Sequence, residues 1–71
     1  MTDHMDSIEA ITFRLASAQA EVANGGNMSR AIILAGDAQD IIGKLNNPDT
    51  QLVLNMAADA IINAADEAAR F

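Results

Sequence analysis

Two turn signals constrain what this chain can fold into. The first is Asn24-Gly25-Gly26-Asn27, whose glycines reach positive φ at little cost and commonly end helices. The second is Asn46-Asn47-Pro48-Asp49, in which an asparagine suited to capping precedes a proline suited to the first position of a helix. Between these signals apolar residues recur every three or four positions, whereas the alternation of a half-buried strand is missing from the sequence. We therefore predict an all-α chain with helices at about residues 7–23, 28–45 and 48–69.

The length of the chain limits how it can be stabilised. Its 71 residues, 51% of them hydrophobic, are enough for a single helical domain spanning residues 1–71. A chain this short buries only about 60% of its unfolded surface, so a monomer is marginally stable. The sequence contains no cysteine, which excludes disulfides and leaves oligomerisation or close helix packing. We predict a small three-helix antiparallel bundle, or a helical hairpin, completed by dimerisation.

The first predicted helix has a narrow apolar seam. Asp6 is its expected N-cap, with Glu9 three residues later as in a capping box. Phe13 lies outside this seam, beside Ala16 and Ala20, so a second packing partner is needed to cover its side chain. The seam residues are Ile8, Ile11, Leu15, Ala18 and Val22.

The second predicted helix is apolar over much of its circumference. One face contains Ala31, Leu34, Ala38, Ile41 and Leu45, and an adjoining face contains Met28, Ile32, Ala35, Gly36, Ile42 and Gly43. At 100° per residue the two faces form an arc of about 220°, wider than one helix neighbour covers. Gly36 and Gly43 share a side, which indicates that another backbone approaches closely. We expect the adjoining face, which contains the two glycines, to bind another copy. Ile33 is the lone apolar residue on the polar side of this helix.

The third predicted helix is rich in alanine. Its expected apolar face contains Val53, Leu54, Ala57, Ala60, Ile61, Ala64, Ala65, Ala68 and Phe71. Small side chains on this face favour short distances between helices. Leu52 and Met56 lie at the edge of the polar side, which carries Asp59 and Asp66.

Composition argues against several classes of partner. Ten acidic and four basic residues give a net charge of −6, which disfavours direct binding to nucleic acid or to an anionic membrane. The only aromatic residues are two phenylalanines, so base stacking has little support. No apolar run approaches the roughly 20 residues of a membrane span. Because no secretory signal is recognisable, we expect a cytoplasmic protein.

No motif predicts chemistry. Phosphate-binding loops, dinucleotide fingerprints and metal-binding patterns are missing from the sequence, and its single histidine is His4. We therefore expect no catalytic residue, metal or cofactor, and we expect that the protein is not an enzyme. The glycine turn before Arg30 resembles an anion-binding helix N-terminus, but an ordinary turn capped by Asn27 or Ser29 is the preferred interpretation. The acidic residues of the third helix are interpreted as a solvated face rather than a cation site.

Three classes of function fit these observations. The first is a non-enzymatic interaction module, such as an adaptor, regulator or small chaperone, that self-associates and binds an unknown protein partner. The second is an acidic inhibitor that occupies the basic, nucleic-acid-binding surface of a target, as small phage anti-defence proteins do. The predicted interaction surface comprises Phe13, Ile32, Ile33, Gly36, Gly43, Asp59 and Asp66.

The third class rests on a resemblance. The stretch GKLNNPDTQLVL is similar to the Asn-Pro turn of type III secretion needle subunits and of their small helical chaperones. The similarity covers about a dozen residues, and it implies a structural or secretion-associated helical hairpin. No functional residue is carried over from that family.

Overall fold

The chain forms three packed α-helices. A computed structural model describes residues 3–70, with side chains from Ser7 onward, so His4 and Phe71 lie outside the described side chains. The helices are α1 (Asp3–Ala23), α2 (Met28–Ile42) and α3 (Pro48–Ala69). The described residues contain no strand, and the all-α prediction is confirmed.

The turn between α1 and α2 is a Schellman motif. The Gly26 N–H donates to the carbonyl of Glu21 at 2.8 Å, and the Gly25 N–H donates to the carbonyl of Val22 at 3.3 Å. Gly25 has φ +67°, the left-handed conformation that other residues adopt only at a cost. The side chain of Asn27 then accepts from the Arg30 N–H at 3.0 Å and begins α2. The predicted helix end is confirmed, and Asn27 is the cap out of the two predicted candidates, Asn27 and Ser29.

The turn between α2 and α3 also follows the predicted chemistry. The Asn47 side chain accepts from the Thr50 N–H at 3.1 Å, and Pro48 occupies the first turn of α3. The Gln51 side chain donates to the carbonyl of Ile42 at 3.1 Å, which satisfies one of the free carbonyls at the end of α2.

Two predicted helix boundaries were wrong. α1 begins at Asp3, so Asp6 lies inside the helix and is not its N-cap. α2 ends at Ile42 rather than near residue 45, because Gly43 is its C-cap. The Lys44 and Leu45 N–H groups donate to carbonyls three residues earlier, which tightens the chain into a turn. α3 has the predicted bounds.

α2 is the central helix, because it packs extensively against both α1 and α3, whereas α1 and α3 contact each other less. The molecule measures 42 × 20 × 14 Å. Three helices in closest packing would have two similar short dimensions, so this cross-section indicates that α1 and α3 are spread apart around α2. The broad apolar arc of α2 is covered from two sides by its own chain.

The core is built largely from alanine. Ile11 and Ile42 are its largest fully buried side chains. The remaining buried residues are Leu15, Ala18, Ala31, Ala35, Ala38, Leu45, Ala58, Ile61 and Ala65. Because Ala35 and Ile42 belong to the α2 face that we expected to bind another copy, that expectation was wrong for these two residues. They form part of the intrachain core.

The apolar face predicted for α3 was only partly right. Ile61 and Ala65 are buried and Leu54 is half-buried, but Val53, Ala57 and Ala60 are exposed. The buried stripe instead includes Ala58, and runs Leu54, Ala58, Ile61 and Ala65 at alternating intervals of four and three residues. The exposed alanines and Val53 therefore lie outside the core.

Candidate interaction surface

An apolar face of α3 is left uncovered within the chain. Leu52, Val53 and Met56 are 61%, 64% and 63% exposed, although each is a large hydrophobic residue. At 100° per residue Met56 lies about 160° from the buried Ala58, so it points away from the core. We define the α3 outer face as the exposed apolar residues Leu52, Val53, Met56, Ala57, Ala60 and Ala64.

Two other large side chains are exposed on different helices. Phe13 on α1 is 69% exposed, and Ile33 on α2 is 62% exposed. Ile33 lies on the same side of α2 as Asp37 and Asp40, which are also exposed. Phe13 has only small apolar neighbours on its own helix, Ala16 and Ala20. The outer face of α3 is therefore the largest apolar cluster among the described exposed residues.

The predicted surface residues of α2 lie in three different environments. Ile32 is half-buried and packs against the core, which leaves less of it for an outside partner. Gly36 is half-buried, and a Cβ added there would have no neighbouring atom within 4 Å. A Cβ on Gly43 would lie 3.6 Å from the carbonyls of Gln39 and Asp40, an ordinary contact within its own turn. Neither glycine is closely approached within the chain, so the predicted close approach remains a prediction about another chain.

The predicted acidic positions are exposed but already have partners. Asp59 accepts a hydrogen bond of 2.7 Å from the side chain of Gln39, and so connects α3 to α2. Asp66 pairs with Arg70 one turn later at 3.2 Å. Asp59 is therefore engaged by α2, and Asp66 is engaged by its own helix.

The helix N-terminus that resembled an anion site is occupied by a carboxylate of the chain. Glu21 Oε1 accepts from the Asn27 N–H at 2.9 Å, and Glu21 Oε2 lies 3.5 Å from Arg30 Nε. A carboxylate stabilises a helix N-terminus as a bound anion would, so these groups are not directed at a ligand. The ordinary-turn interpretation agrees with this geometry.

Two shallow clefts occur among the described residues. One is lined by Ile8, Leu45, Asn46, Asn47 and Thr50, and the other by Ser17, Ala20, Glu21, Asn24 and Arg30. Within the part of the chain that the structure describes, no three His, Cys, Asp or Glu residues are grouped to hold a metal ion. None of the helices in that part is long and apolar enough to cross a membrane.

Comparison with protein-family models, with curated proteins and with solved structures found no match to this chain. Sequence reasoning missed the α3 outer face because it placed Leu52 and Met56 at the edge of the polar side. The missed signal was the run Leu52-Val53-Leu54, since three consecutive residues of a helix span about 200° and cannot all face one core.

Proposed function

We propose that this protein is a non-enzymatic protein–protein interaction module that acts by helix packing and self-associates as a dimer. The observation that carries the proposal is the α3 outer face, on which three large apolar side chains are each more than 60% exposed. Large apolar clusters on a protein surface commonly mark sites of association. In this proposal each copy is an antiparallel three-helix unit, and its exposed apolar surface is covered by another protein chain.

The size of this surface limits the affinity of the proposed dimer. Burying the three large side chains of the outer face in both copies contributes on the order of 6–12 kcal/mol, given their present exposure. Association costs roughly 4–15 kcal/mol in lost translational and rotational freedom. The most favourable difference between these terms, about 8 kcal/mol, corresponds to a dissociation constant of about 1 μM, and smaller differences give a weaker dimer.

Charge supports a protein partner over a polyanion. The net charge of −6 repels nucleic acid phosphates and anionic lipids. The alternative of an acidic inhibitor receives less support from the geometry, because Asp59 and Asp66 are engaged by Gln39 and Arg70. The alternative of a secretion-associated hairpin rests on the turn at Asn47-Pro48, whose capping hydrogen bond is a common feature of helix starts.

Sedimentation velocity from low micromolar to millimolar concentration tests the proposal. We expect the apparent mass to rise from that of the 7.5 kDa chain to twice that value. A mass that stays at one chain throughout this range would contradict self-association. The net charge predicts that added salt strengthens the dimer, because screening weakens the repulsion between two acidic copies.

A further inference from the structure

The turn between α1 and α2 contains the one asparagine of the chain that precedes a glycine, Asn24 before Gly25. We propose that Asn24 is a site of spontaneous deamidation, and that the side chain of Glu21 sets the rate of this modification by holding the turn closed. The reaction does not depend on the self-association proposed above, and water is its only co-reactant.

Deamidation of asparagine begins with attack by the backbone nitrogen of the next residue. In this chain the Gly25 nitrogen loses its proton and bonds to Asn24 Cγ, while the side-chain nitrogen of Asn24 leaves as ammonia. The product is a succinimide ring. Water then opens the ring at one of its two carbonyl carbons, and attack at Cγ gives aspartate, whereas attack at the backbone carbonyl carbon gives isoaspartate. The two steps together exchange an amide for a carboxylate, with consumption of water and release of ammonia.

Sequence and exposure favour Asn24 over the other asparagines. A side chain on the following residue hinders approach of the attacking nitrogen, and Gly25 has none. Asn24 and Gly25 are both exposed, so water reaches the reacting atoms. Asn27 and Asn47 instead hold their side-chain oxygens in capping hydrogen bonds. Asn47 also precedes Pro48, whose nitrogen carries no proton to lose.

The folded turn restrains the attacking nitrogen. The Gly25 N–H donates to the carbonyl of Val22 at 3.3 Å, and the Asn24 N–H donates to the carbonyl of Ala20 at 3.0 Å. The first of these hydrogen bonds is longer than is usual for N–H to oxygen, and it is the one that must break before the Gly25 nitrogen can attack. Reaction therefore requires local opening of the turn, and its rate is the intrinsic rate multiplied by the fraction of molecules that are open.

The two ends of this turn are held together by Glu21. Its Oε1 accepts from the Asn27 N–H at 2.9 Å, and its backbone carbonyl accepts from the Gly26 N–H at 2.8 Å. Gly25 lies between these contacts, so opening of the turn at Gly25 is opposed by both. The Glu21 side chain is 29% exposed, whereas that of its ion-pair partner Arg30 is 66% exposed. We therefore expect the hydrogen bond to Asn27 to resist opening more than the ion pair does.

Deamidation changes the features that the turn needs. Isoaspartate adds a methylene group to the main chain between residues 24 and 25, inside the segment whose two hydrogen bonds form the Schellman motif. Either product adds a carboxylate at the C-terminal end of α1, where the helix dipole disfavours negative charge. Asn24 lines the same cleft as Glu21 and Arg30, so the new carboxylate repels Glu21 and competes with it for Arg30. Because the ammonia is lost to solvent, modified molecules accumulate with age.

Peptide mapping by mass spectrometry, after incubation of the folded protein at mildly alkaline pH, tests the site. We expect Asn24 to convert before the other asparagines, to aspartate and isoaspartate peptides that chromatography separates. Asn47 is the internal control, because Pro48 blocks ring formation there. The same chain unfolded in guanidinium chloride gives the intrinsic rate, and folding should slow the conversion of Asn24. Earlier modification of another asparagine, or equal rates at Asn24 in the folded and unfolded chains, would overturn the proposal.

A matched pair of substitutions tests control by Glu21. Glu21→Ala and Glu67→Ala remove the same side chain and the same charge, and Glu67 is exposed on α3. We expect Glu21→Ala to raise the deamidation rate of Asn24 by roughly tenfold, which corresponds to about 1.4 kcal/mol and is typical of a hydrogen bond to a charged group. Glu67→Ala should change the rate by no more than about twofold. Equal rates in the two variants would exclude control by Glu21.

Hydrogen exchange measured by NMR tests the opening step in the wild type, without any substitution. Both exchange and attack require release of the Gly25 N–H, so folding should slow the two processes by the same factor. In Glu21→Ala both rates should then rise together, whereas exchange at the buried Ala35 reports whether that variant unfolds globally. Deamidation of Asn24 that is slowed by a different factor from Gly25 exchange would contradict gating by this turn.

Thermal unfolding before and after the incubation tests the consequence of the modification. Aged wild-type protein should melt at a lower temperature than fresh protein, in proportion to the isoaspartate that it contains. Asn24→Gln is the control, because its longer side chain closes a ring far more slowly and its melting temperature should survive the same incubation. An equal loss in Asn24→Gln would show that the damage arises at another position.

Discussion

Glu21 accepts a hydrogen bond of 2.9 Å from the backbone N–H of Asn27, and this contact ties the last turn of α1 to the start of α2. The second oxygen of the same carboxylate lies 3.5 Å from Arg30 Nε. A Cβ added at Gly26 would collide with Glu21 Oε1. The glycine therefore leaves the space through which the Glu21 side chain reaches the next helix.

We expect Gly26→Ala to lower the free energy of unfolding by about 1 kcal/mol, because the methyl group displaces the Glu21 carboxylate from its hydrogen bond. The effect should shrink in a Glu21→Ala background, where no carboxylate remains to be displaced. Urea denaturation of the wild type, the two single variants and the double variant measures the coupling free energy between positions 21 and 26. Equal effects of Gly26→Ala in both backgrounds would show that the loss has another origin.

Gly25 and Gly36 should respond to alanine in opposite ways. Gly25 has φ +67° and a Cβ added there would have no neighbouring atom within 4 Å, so Gly25→Ala should cost about 1–2 kcal/mol from backbone strain alone. Gly36 lies inside α2 with no atom within 4 Å of an added Cβ, so Gly36→Ala should stabilise the monomer by up to about 1 kcal/mol. Thermal unfolding at low protein concentration compares the stabilities of the two variants with that of the wild type. A destabilising Gly36→Ala that also weakens self-association would instead favour close approach of another chain at α2.

Truncation of Ile42 should be far more damaging than truncation of an outer-face residue. Ile42 is fully buried, and Ile42→Ala should cost about 2–5 kcal/mol through lost burial and a residual cavity. Val53 is 64% exposed, and Val53→Ala should change the stability of the dilute monomer by no more than about 0.5 kcal/mol. Denaturation curves at low concentration separate these effects from dimer dissociation. Similar losses for both variants would mean that Val53 belongs to the intrachain core.

The Asn47 side chain should account for much of the stability of the first turn of α3. Asn47→Ala removes the acceptor for the Thr50 N–H and should cost about 1 kcal/mol. Asn46→Ala provides the control, because this exposed neighbour lies one residue before the cap. Circular dichroism during urea unfolding measures the free energy of unfolding of both variants. An Asn46 variant as unstable as the Asn47 variant would argue against the cap as the cause.

Turn chemistry made most of the fold predictable from the sequence. Gly25 requires positive φ, while Asn27 and Asn47 each cap a helix, so three of the helix boundaries follow from local chemistry. The end of α2 was harder to predict, since apolar periodicity continues through Leu45. Leu45 is indeed buried, but it reaches the core from a turn after the helix has ended. Apolar periodicity indicates which residues are buried, but it does not show whether their backbone groups are hydrogen-bonded in a helix.

The surface was less predictable than the fold. In the sequence, Phe13 lies off the apolar seam of α1 and Ile33 lies on the polar side of α2. Both side chains are exposed, as these positions indicate. For α3 the alanines are distributed around the helix, so several apolar stripes fit the pattern almost equally well. Packing against α1 and α2 selects the stripe through Leu54 and Ala58, and this selection depends on tertiary geometry.

The central position of α2 also bears on how the chain folds. Each extensive helix contact joins neighbours in the sequence, α1 with α2 and α2 with α3, across turns of only a few residues. Forming them closes short loops, so little chain entropy is lost before stabilising contacts appear. Chains with such local contact patterns typically fold within microseconds to milliseconds. Rapid folding limits the time during which the alanine-rich core is open to aggregation with other nascent chains.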